Sequence, residues 1–261
     1  MALNYDRVAA VYDSRYQRNN YTGVETALDV FVEGTRAGRH RILEIGCGTG
    51  HWVRRLRESR LAAFGLDPSA GMLEIARDAL PGQLIRGRAE ALPCADASHD
   101  RLFCVNALHH FSDPARFLVE ARRVLRPGGG VLTVGLDPHN GEDRWWVYDY
   151  FPGALSEDRR RYLPTGRIRE LMEAAGFSGC ETRMIQHLPR ELSVSDARAA
   201  GFLERTSTSQ LMVISDAEYE LGLQRIDAAD VVPEGTQILR SDLRLYASIG
   251  WSAGESAENT P

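Results

Sequence analysis

No stretch of this 261-residue sequence approaches the ~20 consecutive apolar residues that a membrane-spanning helix needs. The opening run Met1-Ala-Leu-Asn-Tyr-Asp-Arg7 is polar and lacks the apolar centre of a secretion leader. Cysteine is scarce: Cys47, Cys94, Cys104 and Cys180 stand far apart, without the paired spacing of a metal site. No metal is expected, and buried free thiols are the ordinary reading for those in strands. A basic field is missing as well. The net charge of −5 argues against a general nucleic-acid binder. Positive charge rests on arginine, a habit from which no function follows. There is no internal repeat and no interdomain linker. The expectation is therefore a cytoplasmic protein with neither membrane nor nucleic acid as partner. Its 43% hydrophobic content is ordinary for a chain that buries one α/β core with elaborations.

What is present centres on Arg41-Ile-Leu-Glu-Ile-Gly-Cys-Gly-Thr-Gly50. Ile42, Leu43 and Ile45 read as a short buried strand. Gly46, Gly48 and Gly50 follow at spacing two, and then residues 51–56 continue as a helix. Glycines suit a sharp strand-to-helix turn and a ligand lying directly on the backbone. Glu44, just ahead of them, can face a cationic ligand group. A purely structural β–turn–α junction is the plainer alternative. A dinucleotide fingerprint is disfavoured, because it wants Gly-x-Gly-x-x-Gly with an anion on the helix terminus.

Further along, strands are expected over 61–66, 83–87, 102–105 and 131–135. Between them, Ser69 caps a helix with the face Met72, Ile75, Ala76 and Ala79. Asp113-Pro114 starts another, whose stripe is Leu118, Ala121 and Leu125. A helix on Val24, Leu28, Phe31 and Val32 precedes the glycine turn. Beyond 135, Thr165 caps a helix bearing Ile168, Leu171, Met172 and Ala175. A sixth strand covers 180–186, two helices joined at 206–210 fill 193–231, and 243–249 alternates as a last strand. Strands alternating with helices imply a doubly wound parallel sheet. Ligands of such sheets bind outside the carboxyl ends of the strands. The glycine turn, Asp67, Asn106 and Asp137 all follow strands at once, so they share one rim.

These pieces, taken together, resemble the class I S-adenosylmethionine-dependent methyltransferases. Glu44-x-Gly46-x-Gly48-x-Gly50 is similar to that family's first motif. Gly65-Leu-Asp67-Pro-Ser69 resembles its second-strand end, Ala89-Glu90-Ala-Leu-Pro93 its adenine-edge loop, Asn106-Ala-Leu-His109-His110-Phe the segment after its fourth strand, and Arg123-Val-Leu-Arg-Pro127-Gly-Gly129 the turn into its fifth. The matches span roughly residues 40–136. The resemblance implies an α/β, doubly wound, seven-stranded Rossmann-like sheet with helical lid insertions. It implies one domain over 1–261, with an amino-terminal cap over about 1–23 and lids over about 137–164 and 188–240. S-adenosylmethionine is the implied cofactor. Its implied contacts are Glu44, Gly46, Cys47, Gly48, Gly50, Asp67, Pro68, Met72, Ala89, Glu90 and Asn106, with Tyr12 and Tyr16 of the cap closing over it. The alternative for the cap is a surface helix that packs Tyr5, Tyr12, Tyr16 and Tyr21. Arg88 departs from the pattern, standing where the family often has an Asp, so the adenine edge is expected to meet backbone of Ala89 and Glu90.

The implied activity is methyl transfer to a small-molecule acceptor, apolar or aromatic. Trp145, Trp146, Tyr148 and Phe151 crowd a segment that a solvated loop would fill with polar residues, and they are the candidate acceptor contacts. The alternative is that they bury the lid or form a homodimer contact. His109 and His139 are candidate bases, each set against a structural reading, for His139 an Asp-Pro-His turn. The run Arg159-Arg160-Arg161 reads as a solvated face. Two other functions stay open: an enzyme of this fold using the cofactor for different chemistry, and a non-enzymatic binding protein.

Overall fold

A computed structural model describes residues 9–13, 16, 18–35, 39–230 and 237–254. The expectations concerning Tyr5 and the opening run to Arg7, and residues 231–236 of the second expected lid, lie outside the described residues.

The first strand, β1 (Arg41–Ile45), is buried from its second residue onward. It pairs in parallel with β2 (Ala62–Asp67) and β4 (His99–Val105). β3 (Leu84–Arg86) extends the sheet beyond β2, and β5 (Leu125–Gly135) lies beyond β4, both parallel. Side chains alternate across a strand, so the sheet needs cover on both faces. After a first short helix, α1 (Ala9–Tyr12), Ile42 packs into a cluster with α2 (Thr22–Val32), α3 (His51–Glu58) and α4 (Ala70–Arg77). Leu43 and Ile45 pack into the opposite cluster, with α5 (Pro114–Val124) and α8 (Thr165–Ala174). The sheet is doubly wound, as the alternating elements imply.

Two long antiparallel strands complete it. β7 (Phe177–Ser193) and β8 (Ile238–Ser252) pair along most of their length. β5 takes the other edge of β8 only as far as Tyr246. Beyond that point the β7–β8 ribbon runs on past the sheet, and the two-residue β6 (Arg144–Trp145) fills the exposed edge at Asp242 and Ser241. The sheet thus has eight strands where seven are expected; the extra one is this short patch. Pro189 sits within β7, which a proline tolerates because β7 is an edge strand and one face of its backbone needs no partner.

The ribbon tip carries α9 (Val194–Ala199), α10 (Ser209–Val213) and α11 (Asp216–Asp230), with a 3₁₀ turn at Arg205–Ser207. The expected joint at 206–210 is itself helical, and residues 188–193 belong to strand rather than lid. The insertion after β5 supplies β6, α6 (Trp146–Tyr150) and α7 (Pro152–Arg161). These pieces share a core separate from the sheet clusters, built on Trp145, Trp146, Phe151, Leu211 and Ile226.

Local expectations differ in four places. Ile75 is exposed and Ala79 lies past the end of α4. Leu125 begins β5 instead of ending α5. Thr165 does not cap α8; its N–H and hydroxyl both donate to Asp137 Oδ2, at 2.8 and 2.9 Å. Arg161 turns inward to pair with fully buried Asp158 at 2.6 Å, so only part of the arginine run is a solvated face. The two expected caps Ser69 and Asp113 do accept from backbone N–H groups, of Met72 and Arg116.

His99, at the head of β4, is buried with its Nε2 unpartnered. Burial, with the nearby charges of Arg41 and Arg126, pushes its pKa down to about 4. The neutral ring is therefore favoured in the fold, while the unfolded chain takes up a proton below pH ~6.5. The group's contribution is present at neutral pH and lost as pH falls from about 6.5 toward 4. Urea denaturation at pH 7.5 and pH 5 is expected to show His99→Gln losing about 2 kcal/mol less stability over that interval than the parent chain. Equal losses would refute the assignment.

Candidate active site

The turn after β1 is locked to the end of β2. Gly46 and Cys47 donate to the Leu66 carbonyl at 2.7 and 3.1 Å, and Gly48 N donates to Asp67 Oδ2 at 2.8 Å. The other carboxylate oxygen of Asp67 accepts from Ser69 N at 2.8 Å. All three glycines have left-handed backbone, with φ of 73°, 53° and 78°. They differ in what lies beside them. A side chain at Gly46 would strike Ala107, and one at Gly50 would strike Leu80 at 2.5 Å. At Gly48 only the Tyr12 ring is near among the described residues, at 3.5 Å. Gly46 and Gly50 are thus required by packing, and Gly48 is the one that leaves open backbone.

Glu44 is buried, and its Oε2 has no hydrogen-bond partner among the described residues. Burial drives its carboxyl well above the usual range, and the neighbouring Asp67 adds to the rise. An adjacent cation would favour the ionised form again. A buried, half-satisfied carboxyl behind a glycine turn, with Asp67 at the next strand end, therefore suits a cationic ligand that carries vicinal hydroxyls.

The remaining expected cofactor residues gather around this rim. Tyr12 lies over Gly48, and Met72 packs with Tyr12 and Ala9. Tyr16 stacks on His51 with ring centroids 3.7 Å apart. Asp13 pins this segment down by accepting from the Thr49 hydroxyl and approaching Arg54 at 3.6 Å. Neither Asp13 nor Thr49 stands out in the sequence. Asn106, directly after β4, adopts φ 50° and donates its N–H to Val134 O. Cys47 is buried within the turn, its thiol raised by burial, and Pro68 is exposed.

The loop carrying Ala89 and Glu90 is held from behind. Arg123 donates to the carbonyls of Leu92 and Cys94 at 3.0 and 2.9 Å, and Glu120 accepts from Leu92 N. Ala89 is buried. The Glu90 carboxylate is occupied: Ser112 N and Oγ donate to it at 2.6 and 2.7 Å, and Arg88 lies 3.5 Å away. Burial opposes ionisation of Glu90, but these hydrogen bonds hold its pKa below the usual value. Arg88 points into this cluster, largely exposed.

A cleft of about 390 Å³ opens beyond the carboxyl ends of β4 and β5. Tyr12, Tyr16, Asn106 and His109 form the wall it shares with the glycine rim. Trp145 and Trp146 line it, whereas Tyr148 and Phe151 do not. Phe151 is fully buried against α11, where a side chain on Gly222 would come within 2.0 Å of its ring. The Tyr148 hydroxyl donates to Asp158 at 2.7 Å. Asp158 also accepts from Gln210, which lines the cleft and donates to the Tyr162 hydroxyl at 3.3 Å.

His109 is at the cleft wall, its ring stacked on Tyr162 at 3.9 Å with the Tyr162 hydroxyl 3.1 Å from Nε2. His139 is elsewhere. Its N–H donates to Asp137 and its Nε2 meets the Tyr162 carbonyl at 2.9 Å, so it fastens the turn after β5 and does not reach the cleft. Trp52, Arg18 and Arg190 also line the cleft and were not anticipated.

An open, mostly parallel sheet with this glycine rim is the architecture of a nucleotide-cofactor enzyme fold. Residues 43–133 match a family model described as a methyltransferase domain. The chain is 30% identical over 201 residues to a phthiotriol/phenolphthiotriol dimycocerosates methyltransferase of Mycobacterium leprae, covering 75% of this chain and 71% of that protein. It is 43% identical over 120 residues to an uncharacterized methyltransferase of Mycobacterium tuberculosis, covering 46% and 48%. The chain spans about half the length of several curated relatives it matches. A putative methyltransferase structure from Anabaena variabilis superposes with a TM-score of 0.64 at 23% identity, covering 86% of this chain and 96% of that one. The chain belongs to the class I S-adenosylmethionine-dependent methyltransferases.

The different surroundings of the glycines predict different costs. Gly48→Ala meets only the left-handed strain, about 1–2 kcal/mol. Gly50→Ala adds a clash with Leu80 and is expected to cost about 1–3 kcal/mol more. Denaturant unfolding of both variants checks the order; a Gly48 variant less stable than the Gly50 variant would contradict it.

Proposed function

We propose that this chain transfers a methyl group from S-adenosylmethionine to a small-molecule acceptor seated in the 390 Å³ cleft. The observation that carries this reading is the shared wall. Tyr12 lies over open Gly48 on one side and borders the cleft on the other, as Asn106 and His109 do from the end of β4.

On this reading Glu44 and Asp67 meet the cofactor's cationic and hydroxyl-bearing parts, Gly48 lets it lie against the backbone, and Ala89 and Glu90 meet the adenine edge through backbone groups. The bound cofactor supplies an electrophilic methyl group, and the protein's work is positioning and exclusion of water. Tyr12 and Tyr16 cover the rim. Trp145 and Trp146 line the cleft, which supports an acceptor with a ring or apolar body. His109, oriented by Tyr162, which in turn holds Gln210, is the residue suited to accept a proton from an acceptor hydroxyl.

The test is release of S-adenosylhomocysteine from S-adenosylmethionine with a panel of acceptors; binding without turnover on any of them would favour a binding protein or other chemistry. Asp67→Ala is expected to weaken S-adenosylmethionine at least tenfold by calorimetry, since a carboxylate loses charge-assisted hydrogen bonds of roughly 1.5–3 kcal/mol each. Because Asp67 also braces Gly48, some stability is expected to go with it. Arg88→Ala, whose parent side chain bonds Glu90 and Ser112, is expected to lose less affinity. The reverse order would make Arg88 a primary contact.

The four lid aromatics are expected to separate. Trp145→Ala or Trp146→Ala raises the acceptor's KM with cofactor affinity retained. Phe151→Ala lowers stability by about 3–5 kcal/mol through the cavity it leaves. Normal acceptor kinetics in both tryptophan variants would remove them from the acceptor site.

A further inference from the structure

The cleft is charged in one direction only. Although the chain carries 36 acidic residues against 31 basic ones, no aspartate or glutamate lines the cleft among the described residues. Two arginines do. Arg190 projects from β7, and Arg18 lies on the amino-terminal segment 172 residues away in sequence. Both guanidinium groups lie over the same ring, that of Phe202, at 4.6 and 6.0 Å from its centroid.

Neither guanidinium has an ion-pair partner among the described residues. Arg190 uses Nη2 alone, donating to Arg18 O at 2.8 Å and Asn19 Oδ1 at 3.1 Å. Arg18 uses Nη1 alone, donating to Gly201 O at 3.3 Å. The acids nearby are engaged elsewhere: Glu191 pairs with Arg240, and Asp242 with His187 and Arg244. Glu204 flanks the same side of Gly201 as Arg18 without pairing with it. Burial without a neighbouring carboxylate lowers the Arg190 pKa, with Tyr21 offsetting only part of the effect, and the group remains charged.

Two like charges held against one ring, partly desolvated and unpaired, are unfavourable unless something anionic meets them. Guanidinium forks are well shaped for planar or tetrahedral oxyanions. The geometry points to an oxyanion subsite: Arg18 and Arg190 hold a carboxylate or phosphate group of the methyl acceptor, whose apolar or aromatic body lies toward Trp145 and Trp146. This deepens the methyl-transfer reading and rests on it for the word acceptor; the anion subsite itself stands on the arginines alone.

Cleft binding can be read without turnover, because Trp52, Trp145 and Trp146 line the cleft and report a bound ring by fluorescence. The full chain, saturated with S-adenosylhomocysteine, is titrated with 4-hydroxybenzoate, phenyl phosphate and uncharged 4-hydroxybenzamide. At least one anion is expected to bind tenfold or more tightly than the amide, and the better anion identifies the oxyanion class. Arg190→Gln and Arg18→Gln are each expected to weaken that anion at least fivefold, leaving the amide and S-adenosylhomocysteine within twofold. Arg190→Lys, which keeps the charge, should retain more anion affinity than Arg190→Gln. Since Arg190 also ties down residues 18 and 19, melting curves accompany each variant, and Arg18→Gln decides if Arg190→Gln fails to fold. An amide that binds as well as both anions, or anion binding indifferent to both substitutions, overturns the inference. Anion preference in a chain that releases no S-adenosylhomocysteine with any acceptor would instead refute methyl transfer and leave the subsite standing.

Discussion

The site depends on one constraint: the exit of β1 is hydrogen-bonded to the exit of β2. Leu66 accepts from two successive N–H groups of the glycine turn, and Asp67 accepts from the third residue along. Three glycines ordered in left-handed conformation within five positions meet no steric penalty but lose more backbone entropy than other residues would. Here the cost is offset because those same N–H groups, which leave the sheet with no strand partner, find acceptors on the neighbouring strand end. Gly65 in β2 takes part as well, since a side chain there would strike the Cys47 sulfur at 2.6 Å. The turn, the start of α3 and the end of β2 consequently form one rigid corner, and Asp67 is a brace before it is anything else.

The opposite wall is made differently. It is a ribbon that outruns the sheet and is stabilised by what packs on its tip. Gln186 on β7 accepts from Gly23 N and Val24 N at the start of α2, and Arg190 holds Arg18 and Asn19. The amino-terminal segment is thereby strapped across the cleft between the ribbon and the glycine corner. On the lid side, fully buried Asp158 gathers Tyr148, Arg161 and Gln210. Burial raises its pKa against those three donors. Removing any one partner leaves a buried charge poorly compensated, so the node fixes the mutual placement of α6, α7 and α10 more than it adds net stability.

The parallel half of the fold was legible in the sequence because each of its signals is local. A buried apolar run, a glycine turn and the Asp113-Pro114 cap need only a few adjacent residues. The antiparallel half was underestimated for a physical reason. β7 is an edge strand with most of its length half-exposed, so it shows no clean alternation, and Pro189 breaks the expected pattern although the edge permits it. Residues 193–231 hold three helices where two are expected, because α9 and α10 have only 6 and 5 residues and are too short to repeat an apolar stripe. The site divides the same way. Glu44, Asp67 and Asn106 announce themselves by following strands. Arg18, Arg190 and Trp52 carry no such signal, and only the docking of the amino-terminal segment on β7 brings the first two together. His139 and Phe151 had the right composition and neighbourhood, yet hydrogen bonding to the Tyr162 carbonyl and packing on Gly222 turn them away from the cleft.

Acidic side chains collect behind the glycine corner and basic ones at the cleft. Carboxyl groups, Glu44 and Asp67, sit behind the glycine corner, where an arriving cation would favour their ionised forms; guanidinium groups, Arg18 and Arg190, line the cleft, whose wall also carries Tyr12, Tyr16, Asn106 and His109. Interactions between separated charges weaken with distance and solvent screening, but a partly enclosed cleft screens less than open water. The resulting field favours a positive ligand at the corner and a negative one across the cleft. A chain with net charge −5 would repel the second ligand at long range, so the arginines act only once it has entered. On the methyl-transfer reading proposed above, a cationic donor at the corner and an anionic acceptor in the cleft would meet across the wall that carries Tyr12, Asn106 and His109. Orientation of the pair then follows from the placement of charge at the ends, and the aromatic walls need only hold the body of the acceptor between them.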